Sequence, residues 1–348
     1  MPDPIIFPAE VLLPPQWLCT QPSDRFAAYN PAIVRFDGRL LMAYRVDSSR
    51  RGAMRRRIGL CQLDEPWQII PGSVSPLSDT IHNGGDLHYD PRFLVYRDRL
   101  FIHYNNNFQT RPNRIFLVEL DPDTLATKAP ARPLALDGPR RDIEKNWMLF
   151  EHEGELLAVY TIAPHVILRA ELTGTGPVVC HPVYQTDWAV SAYTALWGEP
   201  CGGAPPVRHD EVYVSFFHSR YPVSRVRWVL RYWPVPPGAK LPRYLAAIER
   251  RLRRPFNQVR YVGGVYAFEA APPFRPVWLL PEPVLRPENE QPRQQRRRAN
   301  PSASGIVYPC GAVQWDDESW LVSYGVHDER CVLQLIPQSN LMKGSLRF

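Results

Sequence analysis

No apolar run in the 348 residues approaches 18, so no membrane-spanning helix is expected. The first residues, Met1-Pro2-Asp3-Pro4-Ile5-Ile6-Phe7-Pro8, lack a basic stretch followed by an apolar core and do not read as a secretory leader. Cysteine is sparse: Cys19, Cys61, Cys180, Cys201, Cys310 and Cys331 are scattered without a Cys-x-x-Cys pair, which predicts reduced thiols rather than a disulfide framework. A glycine-rich phosphate loop leading into a helix is also missing, which argues against a nucleotide-binding fold. His82, Asp86 and His88 cluster, but no second ligand set at fixed spacing accompanies them, so no metal site is expected. Helix has little room, because 38 prolines each remove a donor and clash inside a helical turn. One segment, near 243–252, has a helical pattern. These absences together predict a soluble cytoplasmic protein.

What the chain does have is arginine in runs, and hydrophobic residues at an ordinary 45%. The net charge of +6 comes largely from Arg50-Arg51, Arg55 to Arg57, Arg250 to Arg254 and Arg296 to Arg298. Such runs bind nucleic acid when aromatics, zinc-finger spacing or an amphipathic helix present them. None of these is present, so the runs read as solvated loops, with neither nucleic acid nor a membrane as partner. Association into a homo-oligomer is left open.

The strongest pattern is a repeated hairpin: an apolar strand, a tight polar turn, and a second apolar strand ending on an aromatic or histidine. The copies are Ala32 to Tyr44 around Asp37-Gly38, Arg92 to Tyr104 around Arg97-Asp98, and Trp147 to Tyr160 around Glu151-His152-Glu153-Gly154. Two more are Pro206 to His218 around Arg208-His209-Asp210, and Gly311 to Tyr324 around Asp316-Asp317. Their last residues fall at 44, 104, 160, 218 and 324, giving steps of 60, 56, 58 and 106. Near-equal steps predict four-stranded units stacked radially, an all-β five-bladed β-propeller in one domain spanning residues 1–348. The long last step predicts an insertion at about 231–305, carrying the short helix and a polar tract at 287–304, before the last blade.

In that arrangement the residues just before each first strand line one mouth of a central channel. They include Asn30-Pro31, Asp90-Pro91 and Lys145-Asn146, so symmetry converges Asn30, Asp90 and Lys145, with Arg45, His218 and Asp328 as neighbours. One carboxylic acid can protonate a departing glycosidic oxygen. A basic group opposite it holds an anion such as phosphate by charge-assisted hydrogen bonds. Asp90 is therefore the candidate catalytic acid of an enzyme acting on sugars.

The ordered set Asn30-Pro31, Arg45, Asp90-Pro91-Arg92, Lys145-Asn146-Trp147, Gly203-Ala204-Pro205-Pro206, Phe217-His218-Ser219 and Ser323 to Asp328 resembles the inverting β-mannoside phosphorylases. It is similar equally to the related mannosyltransferase/phosphorylases that build β-1,2-mannan. The resemblance spans residues 24 to 335. It implies a five-bladed propeller with Asp90 as general acid and Asn30, Arg45 and Asp328 on the mannose. It implies a phosphate side of Lys145, His218 and Tyr324 with an arginine such as Arg92 or Arg114. A mannose-containing oligosaccharide and inorganic phosphate would be the co-substrates, with no other cofactor. Two features depart from the family: Tyr89 stands where Glu is usual before the acid, and Asn105 to Arg111 has no clear counterpart. An inverting hydrolase, with Glu144 or Asp142 as second carboxylate, a GDP-mannose-dependent mannosyltransferase and a non-catalytic glycan-binding propeller remain as alternatives.

Overall fold

The computed structural model describes residues 3–17, 25–50, 53–106, 113–141, 143–223, 258–287, 305–342 and 346–347. After a short strand β1 (Ile5–Phe7) the chain forms antiparallel groups in sequence order. The first comprises β2 (Arg25–Phe36), β3 (Arg39–Arg50) and β4 (Ala53–Leu63). The second is β5 (Tyr89–Tyr96), β6 (Arg99–Asn106), β7 (Arg114–Glu119) and β8 (Arg132–Leu136). The third is β9 (Met148–His152), β10 (Glu155–Thr161), β11 (His165–Glu171) and β12 (Val178–Thr186); a parallel β8–β12 edge merges it with the second into one eight-stranded sheet. A short helix α1 (Ser191–Trp197) then leads into the fourth group. That group holds β13 (Pro200–Cys201), β14 (Val207–His209), β15 (Val212–Val223), β16 (Gln258–Glu269) and β17 (Pro276–Leu279). The fifth is β18 (Val307–Asp316), β19 (Ser319–Val326) and β20 (Arg330–Pro337), followed by α2 (Gln338–Met342) and β21 (Leu346–Arg347). β1 completes the fifth group by pairing with β20, and β21 extends the fourth by pairing with β17.

Turn chemistry sets the hairpins. Asp37-Gly38 and Glu153-Gly154 both take positive φ, as do Arg97 and Asp98, giving tight turns whose twist suits the flanking strands. The inner strands are buried on both faces, which is why they read as near-continuous apolar runs instead of alternating ones. Five buried apolar clusters each join neighbouring groups: one to two, two to three, three to four, four to five, and five back to one. A cavity of about 420 Å³ is lined by first-strand residues of every group, among them Val34, Val95, Glu151, Arg208 and Gln314.

Two features differ from the sequence expectation, and one lies beyond the described residues. Residues 258–287 are not insertion: β16 and β17 are regular outer strands of the fourth group, with β16 paired to β15 along its full length. The helical pattern at 243–252 and most of the tract at 287–304 lie outside the described residues. Arg55 to Arg57 sit on β4 rather than in a solvated loop; the Arg57 guanidinium stacks on Trp17 at 4.1 Å.

Between groups the packing admits no extra atom at Gly203. A Cβ there would stand 2.4 Å from the Phe216 carbonyl oxygen, with backbone atoms of Phe217 and Pro309 also in contact. Gly203→Ala is expected to destabilise the chain by about 1–3 kcal/mol, read from the midpoint of urea unfolding. An unchanged midpoint would show that the group interface yields more easily than this geometry implies.

Candidate active site

The site begins with one backbone irregularity used repeatedly. The β2–β3 ladder skips between Tyr29 and Ala32, and the β5–β6 ladder skips between Tyr89 and Arg92. Pro31 and Pro91 cannot donate to a ladder, so each sits at a bulge. The residue before each proline takes a left-handed conformation, φ 53° at both Asn30 and Asp90, and Asn146 in the third group has φ 66°. Asn and Asp tolerate this region better than other side chains, and such strain concentrates at functional positions.

The two bulges bring Asn30 and Asp90 together. Asn30 Nδ2 donates to Asp90 Oδ1 at 2.8 Å, and Arg45 Nη1 donates to the same oxygen at 3.2 Å. Burial pushes the Asp90 carboxyl up, but Arg45, the Asn30 hydrogen bond, Arg92 and Lys145 outweigh it, leaving it below its ordinary range. Asp90 therefore rests ionised. Arg45 in turn donates from Nε and Nη2 to Asp47, each at 2.7 Å, and lies over the rings of Tyr29 and Tyr89.

Asp328, on the turn after β19, behaves in the opposite way. Burial raises its carboxyl to about 6; Arg45 and Arg56 pull it down, while Asp90 and Asp47 push it up. A carboxyl raised on folding binds its proton more tightly in the folded chain. Its stabilising contribution is complete below the unfolded value and disappears as pH rises through about 6. The stability difference between wild type and Asp328→Asn should therefore change by up to about 3 kcal/mol between pH 4 and 7, in the direction that favours the variant at pH 7. Urea unfolding across that range reads it, and a pH-independent difference would count against the raised carboxyl.

The expected phosphate ligands divide. Lys145 is exposed and within electrostatic reach of Asp90, His218 and Cys201. His218 is buried, and desolvation together with Lys145 and Arg92 lowers it to about 3, so it is neutral and offers hydrogen bonds but no charge. Arg92 forms an internal tie between groups. It is 1% exposed and donates to the Gly203 carbonyl, to the Asp90 carbonyl at 3.1 Å and to the Tyr308 hydroxyl at 2.9 Å. Tyr324 packs in the cluster between the fourth and fifth groups, and its hydroxyl donates to Gln334 at 2.9 Å. Arg114 is exposed at the start of β7, opposite Asn106, with no described contact to Asp90. Of the second carboxylates expected for a hydrolase, Glu144 accepts from Trp147, Tyr160 and the Arg141 amide, while Asp142 lies outside the described residues.

Sequence reasoning missed four contributors. Asp47, near the end of β3, holds Arg45, and Arg56 on β4 stands 3.6 Å from Asp47. Tyr308, whose hydroxyl donates to Asn146 Oδ1 at 2.6 Å, links the third and fifth groups beneath His218, ring to ring at 4.5 Å. Arg220, exposed just past His218, acts electrostatically on Cys201 and Tyr261, beside Lys145. The signals were weak: Asp47 and Arg56 hide in a polar strand end and an arginine run. Among the described residues no group of three or more His, Cys, Asp or Glu could hold a metal ion. No described helix is long and apolar enough to cross a membrane.

No protein-family model and no curated protein matches the sequence. Solved structures do. The chain is similar to the β-1,2-mannobiose phosphorylase of Listeria innocua in its β-1,2-mannobiose complex, at 13% identity over 98% of each chain with a TM-score of 0.57. It is similar to a GDP-Man-dependent mannosyltransferase of Leishmania mexicana, at 11% identity over 92% of this chain and 88% of that one, TM-score 0.52. It is also similar to the catalytic domain of the Coprinopsis cinerea GH62 α-L-arabinofuranosidase, at 9% identity over 90% and 91%, TM-score 0.51. The fold is one used by carbohydrate-active enzymes. Because this fold carries phosphorylases, transferases and hydrolases alike, the chemistry has to be argued from the site.

Proposed function

We propose that the chain is a five-bladed β-propeller in a single domain and a glycoside phosphorylase of β-mannosides. Phosphate attacks the anomeric carbon, its bond to the aglycone oxygen breaks, and that oxygen takes a proton from the carboxylic-acid form of Asp90, which is protonated from solvent before each turnover; the product is α-mannose 1-phosphate, with inversion. In the reverse direction the Asp90 carboxylate removes the acceptor's proton as the glycosidic bond forms, and its ionised resting state suits that direction. Asn30 and Arg45 hold the carboxylate through Oδ1. Lys145 and Arg220 supply charge for phosphate, and neutral His218 supplies a hydrogen bond. The mannose itself lies against Asn30, Arg45 and Asp328.

The observation that carries this reading is a buried carboxylate stabilised as an anion, with cations on the adjoining groups, at the convergence of the first strands. What supports mannose as the sugar is the ordered motif set together with the names of the solved structures that share the fold. An inverting hydrolase is the second reading, favoured by Asp328 as a further carboxyl in the same electrostatic network. Incubation with α-mannose 1-phosphate and a panel of acceptor sugars tests the proposal. Release of phosphate that depends on acceptor supports it; transfer only from GDP-mannose, or no transfer from either donor, goes against it.

A further inference from the structure

We infer that Asp47 is the positioning residue of the site: it fixes Arg45 so that a single guanidinium edge is presented to Asp90. The inference rests on Asp90 being the reacting carboxyl. The guanidinium is a planar, pre-organised fork, so it loses less rotamer entropy per hydrogen bond formed and suits a bidentate carboxylate partner. Asp47 makes that bidentate contact, Nε to Oδ1 and Nη2 to Oδ2, each at 2.7 Å. With those two nitrogens fixed, guanidinium planarity fixes Nη1 as well, and Nη1 is the atom that reaches Asp90 Oδ1 at 3.2 Å. Asp47 is itself held: the Tyr29 hydroxyl donates to Oδ2 at 2.9 Å, and Arg56 Nε stands 3.6 Å from the same oxygen. The order of support runs from Tyr29 and Arg56, through Asp47 and Arg45, to Asp90.

Asp47 also balances charge. Arg45 and Arg56 face Asp47 and Asp90, so Arg45 divides its attraction between two carboxylates. Removing the Asp47 charge leaves Arg45 wholly to Asp90 and Asp328. The groups acting on Asp328 are Arg45 and Asp47 from β3, Arg56 from β4, Asp90 from β5, Tyr29 from β2 and Tyr261 from β16. Of these, Asp47 is one that raises the Asp328 carboxyl, so its loss moves that carboxyl down from about 6.

The test compares wild type with Asp47→Asn, which keeps one oxygen acceptor, and Asp47→Ala, which keeps none. Aspartate carboxyl carbons are followed by ¹³C NMR through a pH titration, and mannosyl transfer from α-mannose 1-phosphate is measured on the same samples. Losing hydrogen bonds to a charged group corresponds to a fall of about 10- to 100-fold in kcat, larger for Ala than for Asn, with KM moving much less. The Asp328 resonance should titrate at lower pH in both variants, taking the corresponding limb of the pH–rate profile with it. Folded variants with wild-type titrations and wild-type kcat overturn the inference. So does activity lost only in proportion to the folded fraction. Should the wild type transfer no mannose at all, the functional proposal fails, while the carboxyl titrations still decide the role of Asp47.

Discussion

Asp90→Asn is expected to lose about 10²- to 10⁴-fold in kcat while the chain stays folded. The amide is nearly isosteric and its oxygen still accepts from Asn30 Nδ2 and Arg45 Nη1, the two donors that hold Oδ1 in the native site. What it lacks is the ability to accept and return a proton. The loss should appear in both directions of the reaction, because one group serves as acid in cleavage and as base in synthesis. Initial rates with α-mannose 1-phosphate and an acceptor measure it. A variant within a factor of a few of wild type would remove Asp90 from the chemistry.

The second large effect is on stability. Arg92 is fully enclosed and joins three groups of strands: its guanidinium meets the Gly203 carbonyl of the fourth group, the Asp90 carbonyl of the second and the Tyr308 hydroxyl of the fifth. Arg92→Met fills much of the volume but leaves those acceptors buried without their donor. Breaking a buried charged interaction from one side costs about 3–5 kcal/mol, and urea unfolding should register a loss of that size. Because the Asp90 carbonyl is one of the acceptors, Arg92→Met should also loosen the bulge that aims the acid, lowering activity in whatever fraction remains folded. A loss below about 1 kcal/mol would mean that the tie contributes little beyond shape.

How far the chain could be read from its letters follows from the same physics. The five hairpins were legible because their turns need residues that accept positive φ, Asp37-Gly38 and Glu153-Gly154 among them, between apolar flanks. Asn30 and Asp90 stood out because a proline follows each, and proline inside a ladder demands a bulge. β16 was missed for a comparable reason. Its centre is Gly263-Gly264, which resembles a loop, yet a Cβ at Gly264 would fall 2.3 Å from the Phe217 ring, so glycine there is a packing requirement. The packing of Arg92 and Tyr324 was not legible because sequence shows the residue type and not the direction of the side chain; both make contacts between groups or strands. Asp47 was invisible for a further reason. Its role exists only when β3 and β4 set it beside Arg45 and Arg56, which no motif spacing expresses.

The most direct measurement follows a panel of β-mannosyl disaccharides by ³¹P and ¹H NMR, with and without inorganic phosphate. If an anionic nucleophile meets the anomeric carbon across from Asp90, sugar is consumed only when phosphate is present and α-mannose 1-phosphate accumulates. Free mannose forming at the same rate without phosphate would contradict the account and assign the site to water.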